Sequence, residues 1–280
     1  MQTVKVRSVE IGVGMPKICV PVMGRDEEEI LAAAKAVREG SADLVEWRAD
    51  WFSAACLDGM AFGDKAACSG VASGEGKAAR TEGAADVEKM VDVARKLREV
   101  FGDLPFLFTF RTEVEGGEWN LAREEYVRLN VAMARSGHVD LVDVELSAGE
   151  GAVGDVVHTA HENGVKVVAS SHDFEKTPAR EEIVGRLRQM QDLDADILKI
   201  AVMPKCRRDV LTLLAATEEM YTEHADRPLV TMSMGELGKV SRVCGETFGS
   251  AVTFGAVGNA SAPGQMEAGR LRGGLELLHG

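Results

Sequence analysis

Short apolar runs alternate with longer amphipathic stretches along most of the chain. Eight runs have the β-branched and aromatic character of strands: residues 17–20, 43–47, 105–110, 139–144, 165–169, 197–201, 229–232 and 251–254. They are nearly continuous in apolar character rather than alternating, which predicts strands covered on both faces, as in a parallel sheet. Between them apolar residues recur at helical spacing, most clearly over 26–37, 87–101 and 181–190. Eight such units in 280 residues predict one domain of the α/β class, a (β/α)8 TIM barrel. A doubly wound sheet competes, but no GxGxxG follows the first strand.

Two stretches fall outside the repeat. Residues 3–13 alternate, with Val4 and Val6 set against Lys5 and Arg7, and predict an N-terminal β-hairpin ahead of the barrel, placed to plug its floor. Residues 53–85 are rich in Ala, Gly and Ser and predict an irregular insertion after the second strand.

Composition narrows the function. A formal net charge of -13 argues against nucleic acid or an anionic membrane as partner, and no apolar run approaches the ~20 residues of a membrane span. The five cysteines show no CxxC spacing, so neither a disulfide framework nor a zinc knuckle is indicated. The expected compartment is the cytoplasm. In so acidic a chain, a local gathering of basic residues carries information.

Such a gathering falls where barrel chemistry is found, at the C-terminal ends of the strands. Glu46, Arg48 and Asp50 alternate at the end of the second, and Arg111 follows the third, with Glu115 close behind. Asp143 and Glu145 lie on the fourth, His172 follows the fifth and Lys199 sits within the sixth. Met232, Met234 and Arg242 belong to the seventh strand and the segment after it; Phe254, Ser261 and Gln265 belong to the eighth and its loop. Singly, most have bland readings. Met232 and Met234 suit a core, Arg242 a solvated surface, His172 a satisfied structural histidine, and Lys199 a snorkelling or ion-paired side chain. Convergence on one end of a closed ring favours a shared pocket. His158 and His161 stand three apart on a helix without a third ligand, and read as surface residues rather than a metal pair.

A lysine on an apolar strand near arginines is expected to lose its proton readily, and a neutral amine forms an imine with a ketone. A histidine beside it can shuttle protons, and several arginines imply an anionic substrate. Residue types alone therefore give a class I Schiff-base enzyme for a small anionic ketone, with aldolase and lyase both open. A barrel that binds without catalysis is a further alternative, against which both Lys199 and His172 are present.

Specific motifs decide among these. Glu46-Trp47-Arg48-Ala49-Asp50, Phe108-Thr109-Phe110-Arg111-Thr112 with Glu115-Gly116-Gly117, and Asp143-Val144-Glu145-Leu146 form the first blocks. Ser170-Ser171-His172-Asp173-Phe174, Leu198-Lys199-Ile200-Ala201, Met232-Ser233-Met234-Gly235 with Ser241-Arg242, and Ser261-Ala262-Pro263-Gly264-Gln265 complete them. In these blocks the chain resembles the type I 3-dehydroquinate dehydratases over nearly its whole length. The resemblance implies Lys199 as the Schiff-base lysine, His172 as general acid and base, and Glu115 as the group that orients His172. It implies Arg242, Ser261 and Gln265 for the substrate carboxylate, and Glu46, Arg48 and Arg111 for the ring hydroxyls. Met232, Met234 and Phe254 become apolar walls, and Asp143 part of the substrate site. The implied reaction is dehydration of 3-dehydroquinate to 3-dehydroshikimate in the shikimate pathway, by a homodimer with no metal and no dissociable cofactor. No motif residue falls in the insertion, and a monofunctional enzyme is expected.

Overall fold

The structure, a computed structural model, describes residues 2–52, 86–258 and 260–279; the insertion expected over 53–85 lies outside the described residues. A hairpin of β1 (Val4–Val6) and β2 (Val9–Ile11) precedes eight parallel strands. These are β3 (Lys17–Val22), β4 (Leu44–Arg48), β5 (Phe106–Thr109), β6 (Leu141–Glu145), β7 (Lys166–Asp173), β8 (Ile197–Val202), β9 (Leu229–Ser233) and β10 (Val252–Ala256). Each pairs with the next, and β10 returns to β3. Between β9 and β10 the ring closes through a bridge of Leu229 with Ser250, where Ala251 N donates to Leu229 O at 2.7 Å. This is the expected (β/α)8 barrel with its N-terminal hairpin.

The outer layer consists of α1 (Glu27–Arg38), α2 (Val87–Phe101), α3 (Arg123–Arg135), α4 (Glu150–Glu162), α5 (Arg180–Asp192), α6 (Arg207–Glu219), α7 (Gly235–Val243), a short α8 (Gly245–Phe248) and α9 (Ala268–Leu278). Asp26 and Asp86 cap α1 and α2 by accepting from Glu29 N and Lys89 N, satisfying donors a helix start leaves free.

Strand alternation sorts side chains into two populations. Trp47, Phe106, Phe108, Val142, Val144, Val167, Leu198 and Ile200 face outward into the helices and form the main core. Leu44, Leu107, Leu141, Val168, Ile197, Val230 and Val252 face inward near the N-terminal ends of their strands, where Val4, Val6 and Ile11 of the hairpin pack against them. The hairpin is the floor of the barrel, as expected. Asp140, just before β6, ties it down: it accepts from Arg7 Nε at 2.7 Å, Arg98 Nη1 at 2.9 Å and Phe106 N at 2.9 Å.

Above this apolar floor, the next inward positions are Glu46, Thr109, Asp143, Ser170, Lys199, Met232 and Phe254. The register staggers them around the ring, pairing Glu46 with Leu107 of the floor, Thr109 with Asp143 and Ser170 with Lys199. On β4, β6 and β8 the inward side chain thus changes from hydrocarbon to ionisable within two steps along the strand, from Leu44 to Glu46, Leu141 to Asp143 and Ile197 to Lys199.

Two boundaries differ from expectation. β7 continues past Ala169, where the apolar run stops, to Asp173; Ser170 and His172 face the barrel interior, where other polar groups satisfy them. A two-residue strand, β11 (Met266–Glu267), pairs in parallel with Gly255 and Ala256 and anchors the end of the loop that carries Ser261 and Gln265. Of the helical histidines, His158 is on the surface, but His161 is corrected: its Nε2 lies 2.8 Å from Asp196 Oδ2, whose carboxylate also accepts from Val167 N and Lys166 Nζ.

Candidate active site

The C-terminal ends of the strands surround a pocket of about 440 Å³ lined by Glu46, Arg48, Arg111, Glu115, His172, Lys199, Met232, Met234, Arg242, Phe254, Ser261 and Gln265. Of the site residues that the family resemblance implies, Asp143 alone does not line it; it lies beneath, fully buried.

Lys199 projects from the centre of β8. Its Nζ is 3.2 Å from Asp143 Oδ2, 3.7 Å from Glu46 Oε1 and 4.6 Å from the centre of the Phe254 ring. The expectation of an amine set among apolar neighbours and repelled by arginines is corrected here: carboxylates are its nearest charged neighbours. Burial pushes the Asp143 carboxyl up, but Arg111 and Lys199 outweigh it and hold the group below its ordinary value. Ser170 Oγ and Arg111 Nη2 also donate to Asp143, at 2.6 and 2.9 Å. Glu46 accepts from Thr109 Oγ1 at 2.9 Å.

His172, two residues beyond Ser170 on the same face of β7, points its Nδ1 at Glu115 Oε2, 2.9 Å away, and its backbone N–H donates to the same oxygen at 2.9 Å. Glu115 reaches this position through a 3-10 turn, Glu113–Glu115, that folds back after β5. The two glycines that follow make the turn possible. Gly116 has φ +85 and lies against the Phe174 ring, and a Cβ on Gly117 would run into the Arg111 carbonyl. Ser147 Oγ donates to the other carboxylate oxygen, Oε1, at 2.6 Å.

Electrostatics push this pair in opposite directions. Burial, reinforced by Glu145, raises Glu115 to about 8 despite Arg111 nearby. Burial together with Arg111, Lys199 and Arg48 holds His172 well below the ordinary histidine value. A base is active when unprotonated, and a lowered pKa keeps His172 unprotonated to lower pH. The acid limb of a kcat/KM–pH profile is therefore expected below pH 6.5; a limb at or above that value would contradict the electrostatics.

Arginines complete the pocket. Arg111 donates from Nη2 to Asp143 Oδ1 and from Nη1 to Glu145 Oε1 and Ser170 Oγ, each at 2.9 Å. Arg48 is clamped by Asp50 through two bonds of 2.8 Å. Arg242 is different. It is buried on α7, contacts Met232 Sδ at 3.3 Å and Pro263 O at 3.2 Å, and its Nε has no partner. Burial lowers it to about 10. A buried guanidinium with no facing carboxylate is a receptor for an anion. Beside it Ser261 and Gln265 clasp one another: Ser261 N donates to Gln265 Oε1 and Gln265 Nε2 to Ser261 Oγ, both at 2.9 Å.

Sequence reasoning named Asp50 only as part of a polar set and missed the other groups that support these residues. Asp50 holds Arg48 and also accepts from Glu118 N at 3.1 Å; Tyr126 accepts from Glu145 N through its hydroxyl at 2.9 Å; Ser147 bonds Glu115. Only Asp50 carried a signal, as the third member of an alternating polar set. Asp50→Ala would strand the buried Arg48 charge and is expected to cost about 3–5 kcal/mol in chemical unfolding; a loss under ~1 kcal/mol, the scale of an exposed ion pair, would show that water replaces the carboxylate.

Fold and site together define the class: an enzyme built on a (β/α)8 barrel, with ionisable groups converging at its catalytic end. Residues 18–280 match the family model described as Type I 3-dehydroquinase. A 3-dehydroquinate dehydratase of Clostridioides difficile (strain 630) is 44% identical over 276 residues, covering 99% of this chain and 97% of the relative. One of Escherichia coli (strain 55989 / EAEC) is 46% identical over 279 residues, covering 100% and 99%. The crystal structure of a type I 3-dehydroquinate dehydratase from Clostridium difficile with covalent modified comenic acid superposes with a TM-score of 0.86 at 44% identity, covering 99% of this chain and 98% of that one. That of the Geobacillus kaustophilus HTA426 enzyme gives 0.85 at 40% identity, covering 99% and 96%. The chain belongs to the type I 3-dehydroquinase family.

Proposed function

We propose that this protein dehydrates 3-dehydroquinate to 3-dehydroshikimate through an imine on Lys199, as a hydro-lyase of the shikimate pathway. The observation that carries the reading is the placement of Lys199 at the centre of the pocket, one strand away from the His172–Glu115 pair and beside an arginine with no facing carboxylate.

Lys199 Nζ attacks the ketone once neutral, and loss of water from the carbinolamine gives the imine. Protonated, the imine carries a positive charge where the ammonium was. Asp143 and Glu46, already 3.2 and 3.7 Å from that nitrogen, stabilise it in place. The charge acidifies the adjacent carbon, and His172 takes its proton. The resulting enamine expels the β-hydroxyl as water, with His172 returning a proton to the leaving oxygen. Hydrolysis then frees Lys199 and the product. Arg242, Ser261 and Gln265 hold the substrate carboxylate; Glu46, Arg48 and Arg111 meet the ring hydroxyls; Met232, Met234 and Phe254 wall the pocket.

Incubation with 3-dehydroquinate should produce the ultraviolet absorbance of a conjugated enone; its absence with folded protein would overturn the reading. Gln265→Ala removes both bonds that fix Ser261, and is expected to raise KM and lower kcat together, by roughly 10-fold each. A change in KM alone would make the pair a binding contact without influence on geometry.

The same reading includes a cytoplasmic homodimer. Among the described residues no helix is long and apolar enough to cross a membrane. Leu211, Leu237 and Val240 are exposed on the contacting helices α6 and α7 and support a subunit face there. Sedimentation as a monomer would rule the dimer out.

A further inference from the structure

On the outer side of the barrel rim, away from the substrate pocket, lies a second groove of about 530 Å³ whose lining includes Thr112, Tyr126, Glu145 and Ser147. Ser147 is exposed in this groove, yet its hydroxyl bonds the buried Glu115 at 2.6 Å, and Glu115 bonds His172 Nδ1 at 2.9 Å. The contacts use different carboxyl oxygens, Oε1 toward the groove and Oε2 toward the histidine. The wall between the two openings is thus crossed by an unbroken chain of hydrogen-bonding atoms.

We propose that Ser147, Glu115 and His172 form a proton path that links the catalytic histidine with water in the outer groove, so that His172 can exchange protons while the substrate pocket is occupied. The proposal rests on the catalytic role of His172 given above.

The step balances through a protonated carboxyl. With a proton on Glu115 Oε1, the contact with Ser147 is made with the carboxyl as donor. When His172 Nε2 takes a proton from substrate, Nδ1 passes its own to Oε2, Oε1 passes its proton to Ser147 Oγ, and the hydroxyl proton of Ser147 passes to water. One proton enters at Nε2 and one emerges in the groove, and the reverse sequence reloads the histidine. The path needs Glu115 to hold a proton near neutral pH, and burial supplies that tendency by raising it to about 8. The charged groups facing the carboxyl are His172, Arg111, Glu145 and Asp143; Arg111, Lys199 and Arg48 face the histidine. None of them provides a second exposed hydroxyl.

Ser147→Val retains bulk but removes the hydroxyl, whereas Ser147→Thr keeps it. Thr should behave as wild type. Val should lower kcat at least 3-fold with KM unchanged, shift the kcat–pH profile, and recover with added imidazole as a diffusible proton carrier. Equal activity of Val and wild type would overturn the path. So would a loss shared by Thr, or one that imidazole leaves unrepaired, since either marks a merely structural serine. Turnover of 3-dehydroquinate by wild type in the same assay separates failure of the path from failure of the proposed function.

Discussion

Lys199→Ala should reduce turnover of 3-dehydroquinate by on the order of 10⁴-fold or more, the scale on which a covalent enzyme loses its nucleophile. The fold should survive. Without the ammonium, Asp143 still accepts from Arg111 and Ser170, and Glu46 from Thr109, so no buried carboxylate is left without a donor. An unchanged circular dichroism spectrum checks this. In the wild type, borohydride added with substrate should reduce the imine and inactivate the enzyme, and mass spectrometry should find the adduct on the peptide containing Lys199. Lys205 and Lys239 are the neighbouring alternatives. Lys239 pairs with Glu236 on exposed helix surface, and neither lysine lines the pocket. An adduct on one of them would overturn the assignment.

His172→Ala should slow turnover at least ~10²-fold, the lower end of what a positioned acid or base contributes. The nucleophile stays in place, so imine formation should outlast the loss of proton transfer, and borohydride should still label Lys199 in this variant. The two variants therefore separate the steps. One abolishes the covalent bond, and the other lets it accumulate. Nearly unchanged turnover in His172→Ala would make the histidine structural, its bonds to Glu115 serving only to fix the 3-10 turn.

The strands were legible because both their faces are apolar near the barrel floor, where period and composition agree. Legibility declined toward the catalytic end for the same reason the site works. Ser170, His172 and Asp173 carry no strand signal, yet they pair with Lys199, Ala201 and Val202, because the polar layer satisfies itself across the barrel. Periodicity also cannot show which charges meet: Lys199 on its apolar strand looked isolated, and the carboxylates beside it come from β4 and β6, some 150 and 56 residues earlier. Arg242 looked like a surface residue of a helix and is buried with an orphan Nε. The motif blocks picked out such residues, and the fold supplies the reason they stand together. Ser147 and Tyr126 lay outside any pattern, since a lone hydroxyl on a loop or helix has no spacing to read.

The closure between β9 and β10 has a consequence of another kind. A closed ring offers no unpaired strand edge to other chains. Here that protection is least redundant at one joint, where a backbone bridge at Leu229 is supplemented by the Ser250 hydroxyl, which accepts from Thr231 N at 3.1 Å in place of a carbonyl. Parting of this joint would bare two edges at once, both rich in Val, Thr and aromatic or sulfur-bearing side chains. The solubility of the protein under stress is thus tied to a few atoms at this joint, and aggregation rather than lost chemistry would be the first sign of their failure.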